Sequence, residues 1–317
     1  MRGDFQLSVK WSGFPLRIRN PSSVVKPFAM DIIISGLLLG GTYALMAMGL
    51  QLQYGVARIM NLANGEMLIA GAFSTFWFYT AAKASPLYAL ILIVPAAFVL
   101  NWAIYRVLIL PLVRRAKSQG KLEVDSILAT FGLSFISVGI LLTVFGGEYL
   151  DYAYLARPIF IFGEPYGLNR VVAFFGSLIL CIGLYLWLHK TRAGLALRAV
   201  SVNPSAAGLV SINVARTSAL AFALGGAVTA AGGGLLSMFL TFDVSLGVVF
   251  TLKALIIVIL GGVGDIRGTI VAAFILGLAE TAVATLIDPG LTLAAAYVLF
   301  MVVLLVRPEG LFGRRTA

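Results

Sequence analysis

The sequence predicts an all-α fold, a polytopic integral membrane bundle of about eight to nine transmembrane or re-entrant segments. Three observations lead there. Only 11% of the residues are charged and 60% are hydrophobic, with mean hydropathy +1.00, whereas soluble domains keep roughly a quarter of their residues charged. The apolar residues form long runs, such as 28–50, 87–110 and 171–188, and about 20 such residues cross a hydrocarbon core of about 30 Å. The basic residues gather at the ends of these runs, as Lys and Arg do in cytoplasmic loops.

Residues 1–27 come first: polar and basic, with Arg2, Lys10, Arg17, Arg19 and Lys26 against Asp4, and with no apolar core of a signal peptide. A membrane domain over 28–306 follows, with apolar spans at 28–50, 65–82, 86–110, 125–147, 169–189, 217–240, 248–264, 268–287 and 291–306. Segment 111–124, with Arg114, Arg115, Lys117 and Lys121, is expected in the cytoplasm. Segment 148–168 carries Glu148, Asp151 and Glu164 against Arg157 and is expected outside. Segment 190–216 is basic through Lys190, Arg192 and Arg198, has no acid, and is expected inside. Asp243 and Asp288 fall in external turns, and the tail 307–317, with Arg307, Arg314 and Arg315, is expected in the cytoplasm. Nine crossings would place residue 1 outside, against its basic surroundings. A re-entrant segment or a dispensable opening stretch would each reconcile the two.

Several functions are excluded or disfavoured. The net charge of +10 lies at span ends and on no polar domain, so a nucleic-acid surface is not expected. Cys181 is the sole cysteine and lies in an apolar run, which leaves no disulfide framework or thiolate metal site. His189 reads as an interfacial residue beside Lys190. No G-x-x-x-x-G-K-[ST] motif occurs, so the chain is not expected to be an ATP-hydrolysing enzyme, and neither cofactor nor metal is expected. The loop Gly261–Gly268 resembles a dinucleotide turn only superficially, because membrane-length runs flank it. It reads as a tight turn or re-entrant bend in which Asp265 and Arg267 can pair. Gly36 and Gly40, and the set Gly225, Gly226, Ala230 and Gly234, suit close helix packing, with a gating hinge as the alternative.

Two stretches can carry function. The first, Gln51 to Glu66, joins two apolar spans without being a polar loop or a lipid-compatible helix. Non-helical backbone at membrane depth is tolerated where protein or a wet cavity covers it. Gly55 and Gly65 permit bends, the amides of Asn61 and Asn64 can replace water around a polar solute, and Glu66 needs a partner or water. Gln51, Asn61, Asn64 and Glu66 are thus candidate lining residues of a solute path. The alternative is a cytoplasmic loop with Asn64 and Glu66 as helix caps. In the second, 191–214, Asn203 followed by Pro204 predicts a new short helix separate from one over 194–202. Two short helices outside the bilayer form a handle that a partner can push, or an interfacial amphipathic loop.

These stretches carry a family resemblance. The block 36–71, with N-x-A-x-G-E at 61–66, resembles the first block of the branched-chain amino acid importer permeases, of the high-affinity leucine, isoleucine and valine type. Segment 194–214 resembles their ATPase-coupling loop. A third match is L-K-A-L-I-I-V-I-L-G-G-V-G-D-I-R-G over 252–268 with G-L-A-E at 277–280. The resemblance implies the permease subunit of an ATP-binding-cassette importer in a bacterial inner membrane, moving branched-chain or related amino acids by alternating access. It implies as partners a homologous second permease, two cytoplasmic ATPases and a periplasmic solute-binding protein. The coupling residues it marks are Arg198, Asn203, Pro204, Ser205, Ala206, Ala207, Gly208 and Ser211. The chain departs from the family pattern in having Asn64 for His, Ser205 for Glu and Ser211 for Gly. An ion-coupled secondary transporter, a channel, or a permease for urea or short amides are the other readings, and Glu66, Lys253 and Glu280 would be the ionisable candidates for the first of these.

Overall fold

The computed structural model describes residues 21–313 apart from 117 and 163. The basic residues of 1–20, Lys117, Arg314 and Arg315 therefore lie outside the described residues. The chain runs α1 (Pro21–Ala57), α2 (Asn64–Thr80), α3 (Pro86–Ile104), α4 (Leu110–Arg115), α5 (Gln119–Phe145), α6 (Leu168–Lys190), α7 (Arg192–Val202), α8 (Pro204–Leu209), α9 (Val214–Leu236), α10 (Leu246–Gly261), α11 (Ile266–Leu286) and α12 (Thr292–Val306). Seven segments of the described residues are long and apolar enough to cross a bilayer: Met30–Ala57, Pro86–Arg115, Gly120–Phe145, Leu168–Lys190, Val214–Leu236, Ile266–Leu286 and Pro289–Val306. Helices α2 and α10, of 17 and 16 residues, fall short of the about 20 that span a membrane, and both lie largely buried in protein. The architecture is a polytopic helical membrane bundle.

Helix α9 is the centre, with α1, α2 and α3 packed around it, and α11 lies along α1. Small residues set these distances. A Cβ on Gly49 would meet the Thr229 side chain of α9, and one on Gly233 would meet the Leu68 carbonyl of α2. Gly36 and Gly40 lie against the Leu278 and Phe274 backbones of α11, where an added Cβ would stand 2.8 Å from each Cα. The glycines thus serve packing, where van der Waals contact drives association in lipid. Helices α3, α5 and α12 are peripheral and expose large apolar side chains, among them Ile91, Phe135 and Leu305.

Side-chain caps set several of the helix starts. Asn203 Oδ1 accepts from Ala206 N at 3.0 Å, so α8 begins at Pro204, where the Asn-Pro pair predicts it. Thr191, Asn213 and Asp265 cap α7, α9 and α11 in the same way. Pro111 has no N–H, and the helix widens into a π turn over Tyr105–Ile109 just before it. The segment after α5 forms a hairpin of β1 (Pro158–Ile161) and β2 (Glu164–Gly167). Tyr152 and Ser237 hydroxyls meet at 2.9 Å in this region. Burial pushes the Tyr152 phenol up to about 12.

The structure corrects two local expectations. Gln51 to Ala57 continue α1, because the Gln51 and Gln53 side chains find partners without breaking the helix. Gly55 packs towards Gly264 and Gly65 lies in the first turn of α2, where a Cβ would strike the Gly247 carbonyl; neither bends the chain. The non-helical link is confined to Arg58–Ala63 and opens at Arg58 with φ 55°. Asp265 and Arg267 do not pair: Asp265 caps α11 by accepting from Gly268 N at 3.0 Å, and Arg267 donates to the Tyr185 hydroxyl. The turn itself is tight, with Gly262 at φ 100° and Gly264 at φ 90°.

Candidate solute path and coupling surface

The link Arg58–Ala63 leads to a helix that begins inside the bundle. Asn64, the first residue of α2, accepts from Thr229 Oγ1 at 3.0 Å. Thr229 stands 15 residues along α9 from Val214, about 22 Å at 1.5 Å per residue. The link is enclosed by hydroxyls. Leu62 N donates to Thr130 Oγ1 at 3.1 Å, Thr130 Oγ1 donates to the Met60 carbonyl at 3.1 Å, and Gly65 N donates to Thr251 Oγ1 at 2.8 Å. Backbone groups at membrane depth are satisfied here by protein, as the hydrocarbon requires.

The four path candidates are all buried, at 0–2% exposure, but they do not converge. Gln51, with its amide oxygen turned to the α10–α11 turn, accepts from Gly264 N at 2.6 Å and Asp265 N at 2.8 Å. Asn61 donates to Gln53 Oε1 at 2.9 Å, and Gln53 donates on to the Phe222 carbonyl of α9. Asn64 faces α9. Glu66, two residues on, points elsewhere, since positions i and i+2 of a helix do not share a face. Neither Asn64 nor Glu66 caps α2, whose N-cap is Ala63 without a side-chain bond.

Glu66 has the most unusual surroundings. Its Oε1 accepts from Ser134 of α5 at 2.7 Å, its Oε2 has no partner, and no cation pairs with it among the described residues. The carboxylate lies against Gly247, in the first turn of α10, and itself belongs to the first turn of α2. It therefore lies beside the positive ends of two helices. The motif reading missed Ser134 and Thr130. Ser126, Thr130 and Ser134 recur every four residues in an apolar run, a hydroxyl stripe legible at helical period.

A second buried carboxylate, Glu280, pairs with a cation through one oxygen, while its Oε1 has no partner among the described residues. Glu280 Oε2 accepts from Lys253 Nζ at 2.8 Å and from the Tyr43 hydroxyl at 2.8 Å, while Lys253 also donates to that hydroxyl at 2.8 Å. The triad joins α1, α10 and α11.

At one end of the bundle stand α7 and α8. Ser205, Ala206 and Gly208 are exposed and Ala207 is buried. Leu195, Val202, Leu209 and Val210 are 60–88% exposed, an apolar crest on polar-flanked helices. Arg198 Nη2 donates to the His189 carbonyl at 3.4 Å and so braces α7 on α6. Ser211 follows at φ 63°, the left-handed region that favours glycine. Arg58 Nη2 donates to the Ser201 carbonyl at 3.2 Å, tying the link to α7; sequence reasoning gave Arg58 no role.

A helical membrane bundle with an enclosed polar seam, and short helices presented at one end, defines a membrane permease. Residues 32–307 match the family described as branched-chain amino acid transport system / permease component, and the chain belongs to that family. It is 27% identical over 302 residues to the high-affinity branched-chain amino acid transport system permease protein LivH of Escherichia coli (strain K12), covering 90% of this chain and 96% of that protein. It is 29% identical over 298 residues to BraD of Pseudomonas aeruginosa, a permease protein of the same description, covering 89% and 95%. A probable branched-chain amino acid transport permease protein LivH of Methanocaldococcus jannaschii is 26% identical over 305 residues. Among solved structures, PsaBC from Streptococcus pneumoniae in complex with Fab has a TM-score of 0.47 at 10% identity, covering 91% of this chain and 98% of that one. As a permease component the chain belongs to the non-catalytic part of a transport system.

Proposed function

We propose that this chain forms one half of the passage of an ATP-binding-cassette importer that brings branched-chain or related amino acids across the inner membrane. A homologous second permease, two cytoplasmic ATPases and a periplasmic solute-binding protein complete the machine. The α7–α8 end and the C-terminus face the cytoplasm, in keeping with the acid-free basic segment 190–216.

One observation supports the site assignment above the rest: among the described residues, Glu66 is a buried carboxylate with a single hydroxyl partner, an orphan oxygen and no cation. A transported α-amino acid carries the ammonium that such a group lacks. Solute entering from the α5 side would replace Ser134 with its ammonium, a charge-assisted bond of the stronger kind. ATPase closure would act on Pro204–Ser211 and Arg198, and Arg58 would pass that motion from α7 to the link ahead of Glu66. Gln51, Asn61 and Asn64 hold the link and its neighbours in register during the change.

The test is vanadate-sensitive uptake of labelled leucine by vesicles holding the full assembly. Ser205→Arg should abolish uptake while the subunit still assembles. Urea and short amides should not compete, since they have no ammonium for Glu66. Uphill uptake driven by an ion gradient, with no ATPase present, would overturn the reading.

A further inference from the structure

A groove of about 350 Å³ lies between α6 and α11, on a floor formed by α1. Its walls are two helical stripes. Leu178, Cys181 and Tyr185 follow one another at i, i+3 and i+7 on α6, and Arg267, Ile270 and Phe274 do so on α11. Such spacing keeps each set on one face, so the groove runs along the helices for about 10 Å. Gly41 keeps the floor low, and a Cβ there would strike the Phe174 ring.

The groove is apolar except at one end. There Arg267 is exposed, and its Nε and Nη2 donate to the Tyr185 hydroxyl at 3.0 and 2.7 Å. Two of its five N–H donors are so used. No carboxylate pairs with Arg267 among the described residues. Tyr185 stacks on His189 with ring centroids 4.1 Å apart, and Arg198 reaches the His189 carbonyl, so the cationic end is also the α7–α8 end.

We propose that this groove binds an anionic phospholipid, with an acyl chain along the α6–α11 walls and the phosphate on Arg267. An apolar channel parallel to the helices matches an acyl chain, and a guanidinium with spare donors at its mouth matches a phosphate. Basic sites between membrane helices on the cytoplasmic side hold lipid headgroups in this way. The lipid would brace the gap between α6 and α11 next to the coupling helices. The inference takes its orientation from the proposed function but not the identity of the solute.

The full assembly, purified in mild detergent and exchanged into phosphatidylcholine nanodiscs with or without phosphatidylglycerol, tests this by mass spectrometry of retained lipid. Phosphatidylglycerol should be retained over phosphatidylcholine. Arg267→Gln should weaken that retention about fivefold, the equivalent of about 1 kcal/mol per cation at an anionic surface. Val271→Trp, at an exposed position of the groove wall, should reduce it without touching the charge. Equal retention of the two lipids, or retention unchanged in both variants, would overturn the proposal. So would inorganic phosphate competing as well as the lipid, or a second permease found seated in the groove. Uptake assays read a different quantity, so failure here leaves the transport reading intact, and the reverse holds too.

Discussion

Glu66 and Glu280 are both buried carboxylates in the same bundle, and they are held in opposite ways. Glu280 has a cation, Lys253, and a phenol, Tyr43, on one oxygen, within an ion pair whose side chains are 3% and 10% exposed. Glu66 has one serine hydroxyl and the first turns of α2 and α10. The first arrangement resembles a strut: three helices share it and nothing in it is exchangeable without leaving a charge unpaired. Each leaves one carboxylate oxygen without a partner, but the second has no cation among the described residues, and its compensation comes from helix dipoles and a hydroxyl that a stronger donor can replace. Neither burial nor an unpartnered oxygen separates the two acids; the presence of a paired cation does.

The largest effect should come from breaking the strut. Lys253→Ala or Glu280→Ala should destabilise the protein by about 3–5 kcal/mol, because the surviving charge is stranded. Paired replacement by Lys253→Met with Glu280→Leu should recover most of that loss in a thermal unfolding assay. Singles that leave stability intact would break the contrast between the two acids.

Glu66→Gln should do the reverse, with near-native stability and uptake lowered roughly 10- to 100-fold, as removal of a bond between charged groups worth about 1.5–3 kcal/mol implies. Unchanged leucine uptake would end the case for Glu66 as the ammonium partner. A smaller effect is expected for Ser134→Ala, which strips Glu66 of its one hydrogen bond among the described residues. It should lower stability by about 1–3 kcal/mol, and added leucine should restore part of the loss if the ammonium takes the vacated place. A thermal shift that leucine does not move would count against exchange.

The smallest effect lies outside both acids and calibrates them. Ser211→Gly should raise stability by up to about 1 kcal/mol, since the left-handed backbone at φ 63° suits glycine. Leucine uptake should remain within a small factor of the parent. A loss of stability would show that the Ser211 side chain contributes something its backbone does not reveal.

Much of the bundle is legible in the sequence. Each of the nine apolar runs corresponds to a helix, although α2 and α10 fall short of membrane length, and the break before α8 followed from Asn203 and Pro204, because a cap and a fixed φ act within one turn. The site was legible only in part. Gln51 and Gln53 looked like a break in the helix because an amide in an apolar setting is unfavourable, and the groups that satisfy them, in the α10–α11 turn and on α9, are more than 150 residues away in the chain. The bond from Arg267 to Tyr185, 82 residues apart, was hidden in the same way, whereas the Asp265 cap on Gly268 N is local.

The sequence by itself determined that the chain crosses a membrane many times, which segments are apolar, and where local caps start short helices. Those outcomes depend on periodicity, composition and contacts a few residues long. Only the tertiary structure decided that Asn64 and Glu66 turn to different neighbours, that Lys253 neutralises Glu280 and not Glu66, and that α6 and α11 leave a groove between them. Charge compensation and close packing are properties of groups brought together across the fold, and helix spacing alone cannot say which faces will meet.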